Sequence, residues 1–252
     1  MERKAWTERE RLAVLELYCR LPFGRLTARS PEIVGLASKL GRSSNSVAMK
    51  AVNFASLDPV QAARGIQGLK NASRDDRSLW ERFGADPDGV LKEALAVADS
   101  LGVSDMPAPA DDSPLGQVLP DGPETRWQPV EVRRHQSFFR AAVLSSYGNA
   151  CALSGLALPA LLTASHIRAW ADSDRAGRLD PRNGIALNAL YDRAFDRGLF
   201  TLDFNLRVVV NSSLPDDHSL FGISNRELQL PDRFAPAKEY LASHHERWGY
   251  RI

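Results

Sequence analysis

The chain has 252 residues, of which 44% are hydrophobic and 25% charged, with a net charge of +1. These values are typical of a soluble globular protein. No apolar run is long enough to span a bilayer, and the charged start MERKAWTERERL does not resemble a signal peptide. The two cysteines lie far apart and support neither a disulfide framework nor a four-cysteine zinc site. We therefore expect a cytoplasmic protein without membrane association.

The charge is unevenly distributed along the chain. Residues 20–74 carry 9 basic and 2 acidic side chains. This excess favours a polyanionic partner, although a solvated basic face would give the same count. The stretch from Ser104 to Pro129 is acidic, holds six prolines and lacks helical or strand periodicity, which predicts a linker. We predict an N-terminal domain over 1–102, a linker over 103–130 and a C-terminal domain over 131–252.

The N-terminal domain is predicted to be all-α. Apolar spacing predicts a helix over Trp6–Leu21. Ser30-Pro31 predicts the start of a second helix, which ends at Gly41 with a left-handed cap. Ser43 or Ser44 then caps a third helix, SNSVAMKAVNF. Further helices are predicted after Asp58-Pro59, over Ser73–Phe83 and over Pro87–Leu101.

The two helices that flank Gly41 are typical of a helix-turn-helix motif, whose second helix enters the major groove of DNA. Hydroxyl and amide side chains at its start suit base and phosphate contacts, and Arg and Lys add affinity. The alternative is an ordinary helical hairpin in which the serines only cap. The candidate DNA-binding residues of this motif are Arg42, Ser43, Ser44, Asn45, Ser46, Lys50 and Asn53.

The C-terminal domain is predicted to mix helices and strands, so the fold class is α+β. An amphipathic helix over Val130–Tyr147 carries Arg134 and Arg140, which either contact DNA phosphates or form a solvated face. The segment CALSGLALPALLTASHI predicts two short strands around Gly155 and Pro159.

Four further elements are predicted downstream. They are a polar loop over 171–183, a helix LNALYDRAFDRG, a hairpin LFTLDFNLRVVVNSS and a terminal helix PAKEYLASHHERW. We expect His244 and His245, which lie on the terminal helix, to face solvent.

One histidine lies inside the strand-like run LLTASHIRAW, at position 166. A neutral imidazole can take a proton from water near neutral pH, although a lone strand histidine is more often a packing residue. Asn183 follows His166 by 17 residues, and Asp192 follows Asn183 by nine. Alone, Asn183 with Gly184 is usually a turn and Asp192 a helix N-terminal charge. The three together, in this order, favour a catalytic site.

Four sequence pieces in this order resemble an HNH endonuclease domain of the restriction and defence type, over about residues 131 to 212. They are RxxQxxFRxxVLxxYxxxC over 133–151, SHIxxW over 165–170, RNGIAL over 182–187 and DRAFDRGL over 192–199. The resemblance implies a ββα-metal fold for the C-terminal domain.

The resemblance also implies roles for the candidate residues. His166 would be the general base, Asn183 would brace the loop, and Asp192 would bind one divalent ion, Mg²⁺ or Mn²⁺. Asp196 is a candidate second metal ligand, although it could simply bond to the backbone at the helix end. The chain departs from the pattern at Ser165, where many members have Asp, and at Asp192, where His or Asn is common.

We therefore predict a metal-dependent endonuclease that cleaves double-stranded DNA. The resemblance implies restriction of foreign DNA, modified DNA included, as its role. A homodimer would allow cutting of both strands, but the sequence does not show one. Two alternatives stay open: a DNA-binding regulator with an inactive HNH-like domain, and a nuclease directed at RNA.

Overall fold

The computed structural model describes residues 5–65, 72–103, 128–169, 177–211 and 228–252. The fold is α+β, with a helical N-terminal part and a C-terminal part of two small antiparallel sheets and helices. The helices of the N-terminal part are α1 (Glu8–Arg20), α2 (Pro31–Leu40), α3 (Ser44–Ala55), α4 (Pro59–Ala63), α5 (Arg74–Ala85) and α6 (Pro87–Ser100). No helix in the described ranges has the length and apolarity needed to cross a bilayer.

The α2–α3 pair forms where the sequence predicts it. Gly41 ends α2 with φ 59° and ψ 40°, a left-handed conformation that glycine adopts without strain. Ser43 caps α3, because its hydroxyl accepts a hydrogen bond from the Ser46 amide at 3.2 Å. Ser30 occupies the predicted cap position of α2, but its hydroxyl donates to the Arg25 carbonyl instead.

The C-terminal part is built around a two-stranded hairpin. Its elements are α7 (Gln128–Ser146), β1 (Leu162–His166), β2 (Gly184–Asn188), α8 (Ala189–Asp196), β3 (Phe200–Leu202), β4 (Val208–Val210) and α9 (Lys238–Trp248). Strands β1 and β2 pair antiparallel, with Leu162 opposite Asn188 and His166 opposite Gly184. The pairing of β3 with β4 confirms the hairpin predicted near residue 204.

The prediction of two strands around Gly155 and Pro159 is wrong. Residues 152–154 form a turn and Pro159–Leu161 a short 3₁₀ helix, so the strand begins only at Leu162. Its partner β2 was not predicted: it directly follows the predicted loop over 171–183 and overlaps the start of the predicted helix at Leu187. The first four residues of β2 are buried, so the strand lacks the polar–apolar alternation by which a half-buried strand is recognised.

The hydrophobic core of the helical part extends into the C-terminal part, which also has a separate buried cluster of its own around the β1–β2 hairpin. Four C-terminal side chains belong to the same buried cluster as the apolar residues of α1, α2, α3, α5 and α6; they are Phe138, Ala142, Leu179 and Phe234. Arg233 is fully buried, and its guanidinium donates to the Tyr18 carbonyl and to the Ser145 hydroxyl. Residues 104–127 of the predicted linker lie outside the described residues, as do Trp170 and residues 171–176 of the polar loop. The domain boundaries stay a prediction.

Candidate active site

His166 is the last residue of β1 and is half-buried. Its imidazole stacks on the ring of Phe139 in α7, and its Nε2 atom lies 3.4 Å from the carbonyl oxygen of Arg178. A carbonyl only accepts hydrogen bonds, so this contact favours the tautomer with the proton on Nε2 and the lone pair on Nδ1. Burial lowers the pKa of His166 to about 4. The imidazole is therefore neutral near pH 7, which is the form a general base needs.

Gly184 lies opposite His166 in the hairpin. A glycine is needed here because a side chain would overlap its neighbours, not because of the backbone conformation. Its φ is −131°, an extended value open to any residue. A Cβ atom at this position would lie 2.3 Å from Val143 Cγ2 and 2.9 Å from Phe139 Cζ. The absence of a side chain therefore lets α7 approach the hairpin and bring Phe139 onto His166.

Asn183 is fully buried and ties the end of β1 to the loop before β2. Its side-chain oxygen accepts from the Arg168 amide at 2.8 Å, and its side-chain nitrogen donates to the Gly177 carbonyl at 2.8 Å. Its own carbonyl accepts from the Ile167 amide at 2.9 Å. These bonds hold backbone on both sides of the imidazole.

Asp192 and Asp196 lie one turn apart on α8. Burial, followed by repulsion from Asp196, raises the pKa of Asp192 to about 6, while the nearby Ser165 hydroxyl lowers it. Ser165 is buried, and its oxygen meets no partner at ordinary hydrogen-bond geometry. Two carboxylates and a hydroxyl thus come close together, in an arrangement whose mutual repulsion a cation would relieve.

Carboxylate and hydroxyl oxygens are the kind of ligand that a divalent ion of the magnesium type prefers. Within the part of the chain that the structure describes, no three His, Cys, Asp or Glu side chains come close enough to hold a metal. Mg²⁺, however, is commonly bound through one or two carboxylates, with water and phosphate oxygens completing its shell. Asp192, Asp196 and Ser165 could supply the protein's share of such a shell.

The candidate base and the candidate ligands lie on opposite faces of β1. Neighbouring strand residues point to opposite faces of a sheet. Accordingly, His166 contacts Phe139 of α7, whereas Ser165 lies near Asp192 of α8. A phosphate that both groups reach would therefore lie at the end of the strand, between α7 and α8.

The family comparison covers the segment that holds these residues. The segment that runs from Cys151 through β1, β2 and α8 to Asp203 matches the family model described as HNH endonuclease. Residues 151–203 are an HNH endonuclease domain. This domain indicates a nuclease, a hydrolase that acts on nucleic acid, from a family that generally depends on a divalent metal. In a search of curated proteins, none matched the chain.

Arg178, a basic residue near the candidate general base His166, was not among the site residues predicted from the sequence. The backbone carbonyl of Arg178 faces His166 Nε2 at 3.4 Å, and, after burial, the charge of Arg178 is a minor cause of the lowered pKa of His166. Arg178 is partly exposed, and arginine suits bidentate contacts with phosphate. The available signal was the basic content of the polar loop between His166 and Asn183.

The candidate DNA-binding residues of the α2–α3 motif divide into two groups. Ser43 and Asn45 are exposed at the start of α3, and Ser44 and Ser46 are half-exposed beside them. Three others turn inward instead of lying on the surface; they are Arg42, Lys50 and Asn53.

Acidic partners from other helices hold two of these side chains inside. Arg42 pairs with Glu10 of α1 at 2.8 Å and lies over the Trp6 ring. Lys50 pairs with Asp76 of α5, also at 2.8 Å. These two charges therefore stabilise the helical part, and we leave Arg42, Lys50 and Asn53 out of the proposed DNA contacts.

The two candidate arginines of α7 contact the protein itself. Arg134 pairs with Asp99 of α6 and donates to the Leu95 carbonyl at 3.4 Å. Arg140 donates to the Pro159 carbonyl at 3.2 Å. Both side chains thus join elements of the fold.

The expectation that His244 and His245 face solvent is wrong, since both are buried. The His244 ring lies between the Thr201 hydroxyl, 2.9 Å from Nδ1, and the Phe195 carbonyl, 3.2 Å from Nε2. His245 Nε2 lies 2.7 Å from the Leu202 carbonyl. Charged neighbours in the sequence concealed the fact that this face of α9 packs on α8 and β3.

Proposed function

We propose that the protein is a metal-dependent endonuclease that hydrolyses phosphodiester bonds in double-stranded DNA. Restriction of foreign DNA, modified DNA included, is the proposed biological role. The observation that carries the proposal is the neutral imidazole of His166 at the end of β1, inside the segment that matches HNH endonucleases.

The residues of the HNH domain have distinct proposed roles. His166 takes a proton from the attacking water through Nδ1, and Asn183 keeps the loop closed against the end of β1. Asp192, with Asp196 and Ser165, would hold the divalent ion. When bound, such an ion neutralises phosphate charge and supports the leaving oxygen. Arg178 is a further candidate for binding the phosphate.

The helical part is proposed to bind the DNA through the start of α3. Ser43, Ser44, Asn45 and Ser46 present hydroxyl and amide groups there. These groups suit contacts with phosphates and base edges when a helix N-terminus approaches a groove.

One observation favours a second candidate, a DNA-binding regulator without nuclease activity. Ser165 offers a hydroxyl where a carboxylate would bind a cation more strongly, and the described residues hold no group of three ionisable ligands. Loss of metal affinity would leave a DNA-binding protein with the HNH fold.

Plasmid nicking with Mg²⁺, with Mn²⁺ and with a chelator tests the proposal, using wild type, His166→Ala and His135→Ala. We expect metal-dependent nicking by wild type and by His135→Ala, whose histidine lies on α7 outside the site. We expect none from His166→Ala, although that variant should still bind DNA. Binding without nicking by wild type, on plain and modified DNA, would favour the regulator. Cleavage of RNA alone would assign the nuclease to RNA.

A further inference from the structure

A carboxylate of the helical part reaches into the loop before β2. Asp88, in the first turn of α6, is 4% exposed. Its two oxygens accept from the backbone amides of Arg178 at 3.1 Å and of Leu179 at 2.7 Å. The side chain of Leu179 is fully buried in the core of the helical part. The loop is therefore held from the helical side by two hydrogen bonds and an apolar side chain.

The same loop holds His166. The Arg178 carbonyl that faces His166 Nε2 and the Leu179 amide that faces Asp88 belong to one peptide group. A peptide group is planar, and in the trans form its C=O and N–H point in opposite directions. Asp88 therefore sets the direction of the carbonyl that faces the imidazole. A charged acceptor on the N–H also polarises the group, which strengthens its C=O as an acceptor.

Helix capping does not account for these contacts. Asp86 is the N-cap of α6, with its side-chain oxygen accepting from the Gly89 amide at 2.9 Å. Asp88 uses both of its oxygens on the loop instead. The two acidic residues lie two positions apart and have separable tasks.

We propose that Asp88 is a positioning residue of the nuclease site, which holds His166 in its orientation and tautomer through the 178–179 peptide group. The helical part thereby completes the active site of the HNH domain in addition to any contact with DNA. This inference rests on the proposed nuclease function.

The test compares Asp88→Ala and Asp88→Asn with Asp86→Ala, a matched control that removes the α6 cap without touching the loop. We expect Asp88→Ala to lower kcat for duplex cleavage about 10- to 100-fold, because misplacement of a catalytic group has that effect. KM should change little. The kcat of Asp88→Asn should lie between those of wild type and Asp88→Ala, since the single amide oxygen of Asn can accept well from only one of the two backbone amides. Asp86→Ala should lower the melting temperature and keep kcat near that of wild type.

Two readouts do not depend on cleavage. Hydrogen exchange at the Arg178 and Leu179 amides should accelerate in Asp88→Ala and not in Asp86→Ala. Imidazole ¹⁵N shifts at neutral pH should report the Nε2–H tautomer of His166 in wild type and a mixture of tautomers in Asp88→Ala.

The outcomes are separable. Unchanged kcat, exchange and tautomer in Asp88→Ala would overturn the proposal, as would an equal loss of kcat in Asp86→Ala. If Asp88→Ala does not fold, Asp88→Asn decides. If wild type cleaves nothing, the proposed function fails, and the tautomer and exchange data still decide whether Asp88 positions His166.

Discussion

The imidazole of His166 lies nearly parallel to the ring of Phe139, with 3.8 Å between ring centroids and 8° between ring planes. This contact joins α7 to the end of β1 and covers one face of the candidate base. The Phe139 ring excludes water from that face of the imidazole, and this loss of hydration disfavours the charged form of His166. The stacking thus links a packing residue of α7 to the protonation state of the base.

Substitution Phe139→Leu should raise the pKa of His166 from about 4 toward its ordinary value of 6.5, since water would reach the uncovered face. A larger fraction of the base would then be protonated at pH 6, so cleavage should fall more steeply below pH 7 than in wild type. Titration of the His166 C2 proton by NMR and nicking rates from acidic to neutral pH check this. Phe195→Leu, which removes a similar stack from His244, should leave the His166 titration unchanged; an equal shift in both variants would contradict the local cause.

Substitution Gly184→Ala should displace Phe139 and Val143 from the hairpin, because the new Cβ overlaps both side chains. We expect the free energy of unfolding to fall by about 1–3 kcal/mol, as in other overpacked cores, and cleavage to fall with it. Urea denaturation measures the first effect. Gly35→Ala in α2, where a Cβ meets nothing within 4 Å, should instead stabilise by about 0.5–1 kcal/mol. If Gly184→Ala left the free energy of unfolding unchanged, α7 would be able to move away from the hairpin at no cost.

Substitution Asp196→Asn should lower the pKa of Asp192 from about 6, because repulsion from Asp196 contributes to that value. When the pKa of a carboxyl is higher in the folded than in the unfolded protein, the free energy of unfolding falls as the pH rises from the unfolded to the folded value. For Asp192 this range runs from about 4 to about 6. The variant should therefore gain stability mainly above pH 6.

Carboxyl ¹³C titration without metal and melting curves at several pH values measure these effects. Glu246→Gln, an exposed change on α9, is the control. Calorimetry with Mg²⁺ or Mn²⁺ should show weaker binding by Asp196→Asn, since a candidate ligand is lost. An unchanged Asp192 titration would assign the raised pKa to burial alone.

Substitution Arg233→Met should destabilise the whole chain, because the buried Tyr18 carbonyl loses the hydrogen bond that the Arg233 guanidinium donates to it. We expect a loss of about 2–3 kcal/mol. Arg64→Met removes an exposed pair with Asp232 at 2.9 Å and should cost below about 1 kcal/mol. In wild type, NMR signals of the helical part and of the HNH domain should report one unfolding transition; two separate transitions would contradict the packing of Arg233 and Leu179 against the helical part.

Features that depend on neighbouring residues were predictable from the sequence. The end of α2 at Gly41 is confirmed, and of the two serines predicted to cap α3 the structure has Ser43 at the cap; both features follow from local backbone chemistry. The position of His166 at a strand end and that of Asp192 in the first turn of a helix were also predictable, because spacing along the chain sets them.

Features that depend on distant residues were not predictable. The acidic partners of Arg42 and Lys50 come from α1 and α5, so a count of charges over residues 20–74 overstates the charge that reaches the surface. Likewise, the bond of Asp88 to the Leu179 amide joins residues 91 positions apart. Periodicity carries no information on such pairs, nor on which side of β1 each site residue faces.

The burial of Leu179 and Arg233 against the helical part limits how this chain can diversify. A helical module taken from another protein would have to offer a carbonyl to Arg233, an apolar cavity to Leu179 and a carboxylate to the 178–179 peptide group. On the proposed roles of Asp88 and of α3, exchange of whole modules would therefore lower cleavage as well as change DNA recognition. If the start of α3 contacts DNA as proposed, altered target preference is expected to arise by substitution there, where Ser43 and Asn45 are exposed.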